Sequence, residues 1–212
     1  MDDTTRELAV VVLAAGQGTR MNSRRAKVLH ELCGRSMLGH VVTSAEALTP
    51  ERLIVVVGYD AELVGKEFEG RVEIVHQTEQ KGTGHAVKQA LPRLEGFSGD
   101  VLILYGDTPL LTPETFRRMM QFKRDAGADL LMLTAVAEIP GRVVRDAAGR
   151  VERIVEAQDA SPAELEIEER NTGVYMMSAE LLREGIENLK NDNRQQEMYL
   201  TDVVGHAVQN GL

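Results

Sequence analysis

The segment Leu8-Ala-Val-Val-Val-Leu-Ala-Ala15 is apolar throughout and ends abruptly at Gly16-Gln17-Gly18. Eight residues suffice for one strand and are short for a helix. A strand with no polar residue on either face must be covered on both, which predicts a central strand of a parallel sheet. Gly16 and Gly18 carry no Cβ, so the chain can turn tightly there and bring its N–H groups close to a ligand. Between Gly16 and His30 there is no acidic residue, whereas Arg20, Arg24, Arg25 and Lys27 are basic. Glycines and local cations at the end of a buried strand make a phosphate site, although a plain turn before a basic solvated helix fits the same residues. Two other phosphate loops are excluded. Position 21 is Met, so the spacing is not G-x-G-x-x-G, and no Gly-Lys-Ser or Gly-Lys-Thr closes a P-loop.

The 212 residues are 43% apolar and 27% charged, an ordinary balance for a soluble chain with a sizeable core. A net charge of −9, no Trp and only 4% aromatic residues argue against nucleic acid or an anionic membrane as partner. A small anion can still meet the basic loop. Cys33 is the only cysteine, which removes disulfides and cysteine zinc sites and suits a reducing cytoplasm. Cys33 itself is expected to be a packing residue. The charged first residues and the lack of a membrane-length apolar stretch argue against a signal peptide and a transmembrane segment.

Ser36 is expected to cap a helix running to about Leu48, with Met37, Leu38, Val41, Val42 and Ala45 at helical spacing. Strands are expected at Leu53–Val57, Val72–Val75, Val101–Tyr105 and Asp129–Ala137. Helices are expected at Ala61–Phe68, at His85–Ala90 and from Thr112-Pro113 to about Ala126. That alternation predicts a parallel sheet with right-handed crossovers. Beyond Pro140, Arg142–Arg145 and Val151–Val155 flank Asp146-Ala-Ala-Gly149 as a β-hairpin. The Glu-rich Ser161–Arg170 reads as a solvated loop or helix face rather than a metal site. Thr172–Met177 reads as a strand, and Ala179–Leu189 and Tyr199–Val208 as helices. The expected class is α/β: one doubly wound domain over residues 1–212, with helices on both faces of a mostly parallel sheet and a small hairpin elaboration.

In such a sheet, ligands sit beyond the carboxyl ends of the strands. Three polar or glycine-rich loops fall there: Gly16 to Lys27, Gln77 to Thr83, and Gly106-Asp107. Asp107 can offer magnesium a hard oxygen, or can serve as a turn residue in Gly-Asp-Thr-Pro. Lys27 can contact phosphate or remain on the solvated surface. The Gln77 amide offers a uracil edge both donor and acceptor, and Gly82-Thr83-Gly84 either lets the backbone approach the base or starts the next helix. Glu156 and Asn171 can bind sugar hydroxyls or an acetamido group, or act as ordinary turn and cap residues.

The signature L-A-A-G-x-G-T-R-M followed by Lys27 resembles that of sugar-phosphate nucleotidyltransferases. Q-x-x-Q-K-G-T-G-H-A at Gln77 to Ala86, L-Y-G-D-T-P-L-L at Leu104 to Leu111, N-T-G at Asn171 and E-M-Y-L-T-D at Glu197 to Asp202 extend the likeness. Together they resemble the uridylyltransferase domain of the bacterial N-acetylglucosamine-1-phosphate uridylyltransferases, from about Leu8 to the C-terminus. The resemblance implies a Rossmann-like nucleotidyltransferase fold and magnesium-dependent synthesis of UDP-N-acetylglucosamine from UTP and the sugar 1-phosphate, in the cytoplasm. It implies that Leu13, Ala14, Ala15, Gly16, Gly18, Thr19 and Lys27 hold the nucleotide. Gln77, Gly82, Thr83, Tyr105, Gly106 and Asp107 would join them, with Asp107 on magnesium. It places Gly141, Glu156 and Asn171 on the sugar side and Arg20 on the departing pyrophosphate. The sequence leaves the oligomeric state open, a homo-oligomer included.

Three departures from the family pattern stand out. The G-Y-G-R turn is shortened around Ile139-Pro140-Gly141-Arg142, and a lysine common after the glutamate motif is Gln158. The sequence also stops before the family's asparagine that completes the metal site and before its left-handed β-helix acetyltransferase half. These departures lead to the expectation that UTP binds while turnover is weak. A nucleotide- or sugar-nucleotide-binding module, or an enzyme for another sugar phosphate, are the alternatives.

Overall fold

The structure, a computed structural model, describes residues 7–18, 21, 23 and 25–211. In chain order the first half contains β1 (Leu8–Ala14), β2 (Glu31–Leu32), β3 (Arg35–Ser36), α1 (Met37–Glu46), β4 (Arg52–Val57), α2 (Ala61–Glu67), β5 (Glu73–His76), α3 (Thr83–Ala90) and β6 (Asp100–Tyr105). The second half contains α4 (Pro113–Ala126), β7 (Leu130–Val136), β8 (Arg142–Arg145), β9 (Val151–Val155), α5 (Pro162–Leu165), β10 (Glu169–Ser178), α6 (Ala179–Glu187) and α7 (Asp202–Gln209).

Every residue of β1 is buried, as an all-apolar strand requires. Its alternation divides the core in two. Ala9, Val11 and Leu13 pack with α3, α6 and α7, while Leu8, Val10, Val12 and Ala14 pack with α1, α2 and α4. β1 pairs in parallel with β4 on one edge and β6 on the other, and β4 pairs in parallel with β5. The chain thus leaves β1 in one direction and returns to its other side, which makes the carboxyl ends of β1 and β6 the switch point of the sheet.

The helix starts follow from their caps. The Ser36 hydroxyl accepts from the Gly39 N–H at 2.9 Å, and Thr112 caps α4 with Pro113 at its first position. The β8–β9 hairpin forms where its turn residues place it, with the Asp146 carboxylate accepting from the Ala148 and Arg150 N–H groups at 2.9 Å.

Four expectations need correcting. β7 does not extend the parallel sheet beside β6, because β10 runs antiparallel between them, pairing Tyr175–Ser178 with β6 and Tyr175–Met177 with β7. β10 also begins at Glu169 rather than Thr172, because Arg145 grips the Glu169 carboxylate in a fork at 2.7 and 2.8 Å and holds that charged start to the sheet. A small hairpin, β2–β3, turns at Cys33 and Gly34 with φ of 52° and 80°, and Cys33 is exposed at its tip rather than packed. Finally, α3 opens at Thr83 rather than His85 and α7 at Asp202 rather than Tyr199, because both preceding segments are held in a loop contact described below. Among the described residues no helix is long and apolar enough to cross a membrane.

An ion pair lies inside the fold. Lys123 on α4 reaches Asp100 at the start of β6, Nζ to Oδ1 3.0 Å, with side chains only 4% and 12% exposed. Removing Lys123 takes the compensating ammonium from a largely buried carboxylate. Lys123→Met is therefore expected to lower the unfolding free energy by about 3–5 kcal/mol. Lys123→Met/Asp100→Leu should recover most of that loss in urea denaturation; equal losses in the two variants would contradict a buried pair.

Candidate functional site

The ends of β1 and β6 open into a cleft of about 330 Å³. Its lining includes Leu13, Ala14, Ala15, Gly16, Gly18, Lys27, Gln77, Gly82, Thr83, Tyr105 and Asp107, so the three loops named from sequence do meet. Backbone geometry brings them together. The Gly106 N–H donates to the Leu13 carbonyl at 2.9 Å, and the Gln80 amide donates to the Ala15 carbonyl at 2.9 Å. Thr19 and Arg20 lie outside the described residues.

Lys27 and Asp107 face each other across the cleft floor, Nζ to Oδ2 2.5 Å, with side chains 41% and 27% exposed. Lys27 is fixed from behind: Gly18, at φ 71°, lies so close that a Cβ there would fall 2.4 Å from the Lys27 Cβ. The glycine is thus required twice, for its backbone conformation and for its missing side chain.

Gln77 is 5% exposed, and its amide nitrogen lies 3.1 Å from both the Gly82 carbonyl and His85 Nδ1. Its NH2 group therefore shapes the loop rather than standing ready for a ligand. Gly82 has φ 98°, and a Cβ on it would stand 2.6 Å from the Met198 carbonyl oxygen. A strap explains that closeness. The Met198 N–H donates to Lys81 O and the Gly84 N–H to Met198 O, both at 2.8 Å, while the Leu200 N–H donates to the Thr83 hydroxyl at 3.0 Å.

A second group of residues gathers beside the cleft. The Asn171 N–H donates to the Gly141 carbonyl at 3.0 Å, and Glu156 Oε1 comes within 3.6 Å of where a side chain on Gly141 would begin. Gly141, Glu156 and Asn171 are thus neighbours despite the short turn at residues 139–142. Tyr105 stands between the two groups. Gly173 packs against its ring, and burial pushes its hydroxyl well above the usual tyrosine range, with the charges of Glu156 and Asp107 adding to the effect.

The electrostatics of the two halves differ. Burial raises the Glu156 carboxyl, the Asp159 and Asp202 charges raise it further, and Arg142 works the other way. Burial and then Asp159 likewise raise Asp202. Tyr199, desolvated and facing Asp159, Glu197 and Glu156, is pushed up to about 12. Among the described residues no three His, Cys, Asp or Glu side chains are grouped so as to hold a metal. Gln80 and Glu197 also line the cleft and were not singled out from sequence, although both sit inside quoted motifs.

Both raised carboxyls bind protons more tightly folded than unfolded. Their stabilising contribution is present at low pH and is lost as pH rises from the ordinary carboxylate value through the raised one. Glu156→Gln should therefore melt higher than the unmodified chain at pH 7 and at the same temperature at pH 4. A higher melting point at both values would point to packing instead of charge.

Comparison with known proteins adds a family. The model of the MobA-like NTP transferase domain matches residues 10–201. The bifunctional protein GlmU of Pelotomaculum thermopropionicum is 48% identical over 209 residues, covering 97% of this chain and 46% of that protein. That of Pelobacter propionicus is 49% identical over 209 residues, covering 96% and 45%. The chain thus spans a little under half the length of these relatives. A crystal structure of UDP-glucose pyrophosphorylase complexed with UDP-glucose superposes with a TM-score of 0.79, over 97% of this chain and 88% of that one. At 15% identity it speaks for the fold alone.

Proposed function

The chain belongs to the MobA-like NTP transferase family, and from that premise we propose that it transfers UMP from UTP to N-acetylglucosamine-1-phosphate. The products are UDP-N-acetylglucosamine and pyrophosphate, and the setting is the cytoplasm. The observation that carries the reading is the pairing of two unlike half-sites across Tyr105. On one side are Lys27, Asp107 and the glycine loop, and on the other Gly141, Glu156 and Asn171. The likeness to GlmU proteins over nearly the whole chain supports the choice of uridine and of the acetylated sugar.

The chemistry needs no protein nucleophile. An oxygen of the sugar phosphate forms a bond to the α-phosphorus of UTP as the bond to the bridging oxygen breaks, and pyrophosphate departs in line. Backbone N–H groups around Gly16 and Gly18 and the ammonium of Lys27 hold the phosphates and offset the charge that builds up on them. Arg20 assists on the pyrophosphate side. On the base side, the backbone of Gly82 and Thr83, held by the strap to Met198 and Leu200, presents a fixed edge to uracil. Glu156 accepts from sugar hydroxyls, whose hydrogen bonds offset the cost of holding a charged carboxylate there, and the Asn171 amide serves the acetamido group.

A divalent cation fits the donor set. Asp107 supplies one hard carboxylate oxygen, which is what magnesium needs when phosphates supply the rest. Bound there, magnesium would neutralise phosphate charge.

UTP should bind more tightly than ATP or CTP in calorimetric titration, because a fixed polar edge that fits one base leaves groups unpaired against another, at roughly 1–3 kcal/mol each. Equal affinities would refute the base assignment. Pyrophosphate release from UTP and N-acetylglucosamine-1-phosphate tests the reaction itself. Release that depends on the sugar phosphate and is lost in Asp107→Asn is the expected result. UTP binding without any release would favour a binding module. Lys27→Ala should weaken UTP about ten- to hundredfold, as loss of a charge-assisted hydrogen bond worth about 1.5–3 kcal/mol implies, while leaving uridine binding unchanged.

A further inference from the structure

We propose that Lys27 has a second role, resting on the reading just given: without nucleotide, its ammonium occupies the divalent cation's place at Asp107, and metal enters once a phosphate has drawn Lys27 away. The two side chains come from loops 80 residues apart and meet at 2.5 Å. Both backbones are anchored close to the end of β1. Gly106 is tied to the Leu13 carbonyl, and Lys27 is backed against Gly18 with no room between them. The side chains, each partly exposed, are free to swing.

A magnesium ion on a carboxylate sits about 2.0–2.1 Å from the oxygen, inside the space that the Lys27 nitrogen already fills. The second Asp107 oxygen gives no escape, since a metal there still faces the ammonium a few ångströms away and like charges repel. The lock is weak enough to open. A half-exposed ion pair contributes little net stability, and a triphosphate offers Lys27 more negative charge than one carboxylate does. Once Lys27 moves to phosphate, Asp107 is left without its cation at the place where the phosphates can share a metal. Metal and nucleotide then assist each other reciprocally, beyond their direct contact.

Manganese alone is the probe, its free ion followed by electron paramagnetic resonance with no nucleotide present. Lys27→Met should bind one manganese ion about threefold or more tightly than the unmodified chain, and Lys27→Met/Asp107→Asn should lose that gain. Equal manganese affinity in the unmodified chain and Lys27→Met would overturn the proposal. A second measurement separates exchange from simple repulsion. In EDTA, Asp107→Asn should bind UTP about threefold or more tightly because Lys27 is released, with no such gain in the Lys27→Met background. Equal gains in both backgrounds would overturn it, and circular dichroism melts verify that each variant is folded. An unmodified chain that binds no UTP, with or without magnesium, would instead refute the nucleotide reading, while the manganese titrations judge the exchange by themselves.

Discussion

The carbonyl oxygens at the end of β1 hold the molecule's working parts in place. The Leu13 carbonyl accepts from Gly106 and the Ala15 carbonyl from the Gln80 side chain, with the Tyr59 N–H at 3.3 Å from the same oxygen. A central strand satisfies its backbone along its length through β4 and β6 and then runs out of neighbours where the sheet ends. Buried carbonyls there must find donors elsewhere. The donors come from the loops after β4, β5 and β6, so one demand for hydrogen bonds gathers distant segments around one cleft.

That arrangement also bears on how the proposed polyphosphate ligand would meet a strongly acidic chain. A net −9 would repel triphosphate if it were spread evenly. Beside the glycine loop Lys27 offsets the charge of Asp107, while Glu156 and Asp202, whose pKa values are raised, gather on the far side of Tyr105. Tyr105 is an uncharged partition, kept neutral by its burial. Around Glu156, burial and neighbouring carboxylates disfavour charge, a cost that hydrogen-bond donors arriving there would offset.

What sequence revealed and what it hid divide by range. The β1 run, the Ser36 and Thr112 caps and the Asp146 turn act within a few residues, and each forms where the pattern places it. The three loops of the cleft were legible because strand ends in an open sheet share an edge. The antiparallel insertion of β10 was hidden, since a strand's own residues do not encode its partner's direction. The Lys123–Asp100 pair was hidden too, because its members lie 23 positions apart on different elements. The orientation of Gln77 was hidden for a related reason: its amide nitrogen faces its own loop, a choice visible only once Gly82 and His85 are in place. Cys33 resembles core by residue type, yet the reversal at Cys33-Gly34 carries it to the surface.

The strap from residues 81–84 to 198–200 also bears on how the protein is born. On a ribosome β1 and the glycine loop emerge early, but Gly82 and Thr83 must wait for Met198 and Leu200, more than a hundred residues later, before their hydrogen bonds can close. Contacts of such separation form late, because the intervening chain must be ordered first. A nascent chain would therefore hold the glycine loop well before the edge at Gly82 and Thr83 is finished. A ligand that needs that edge would grip the completed fold and offer little help to the growing one.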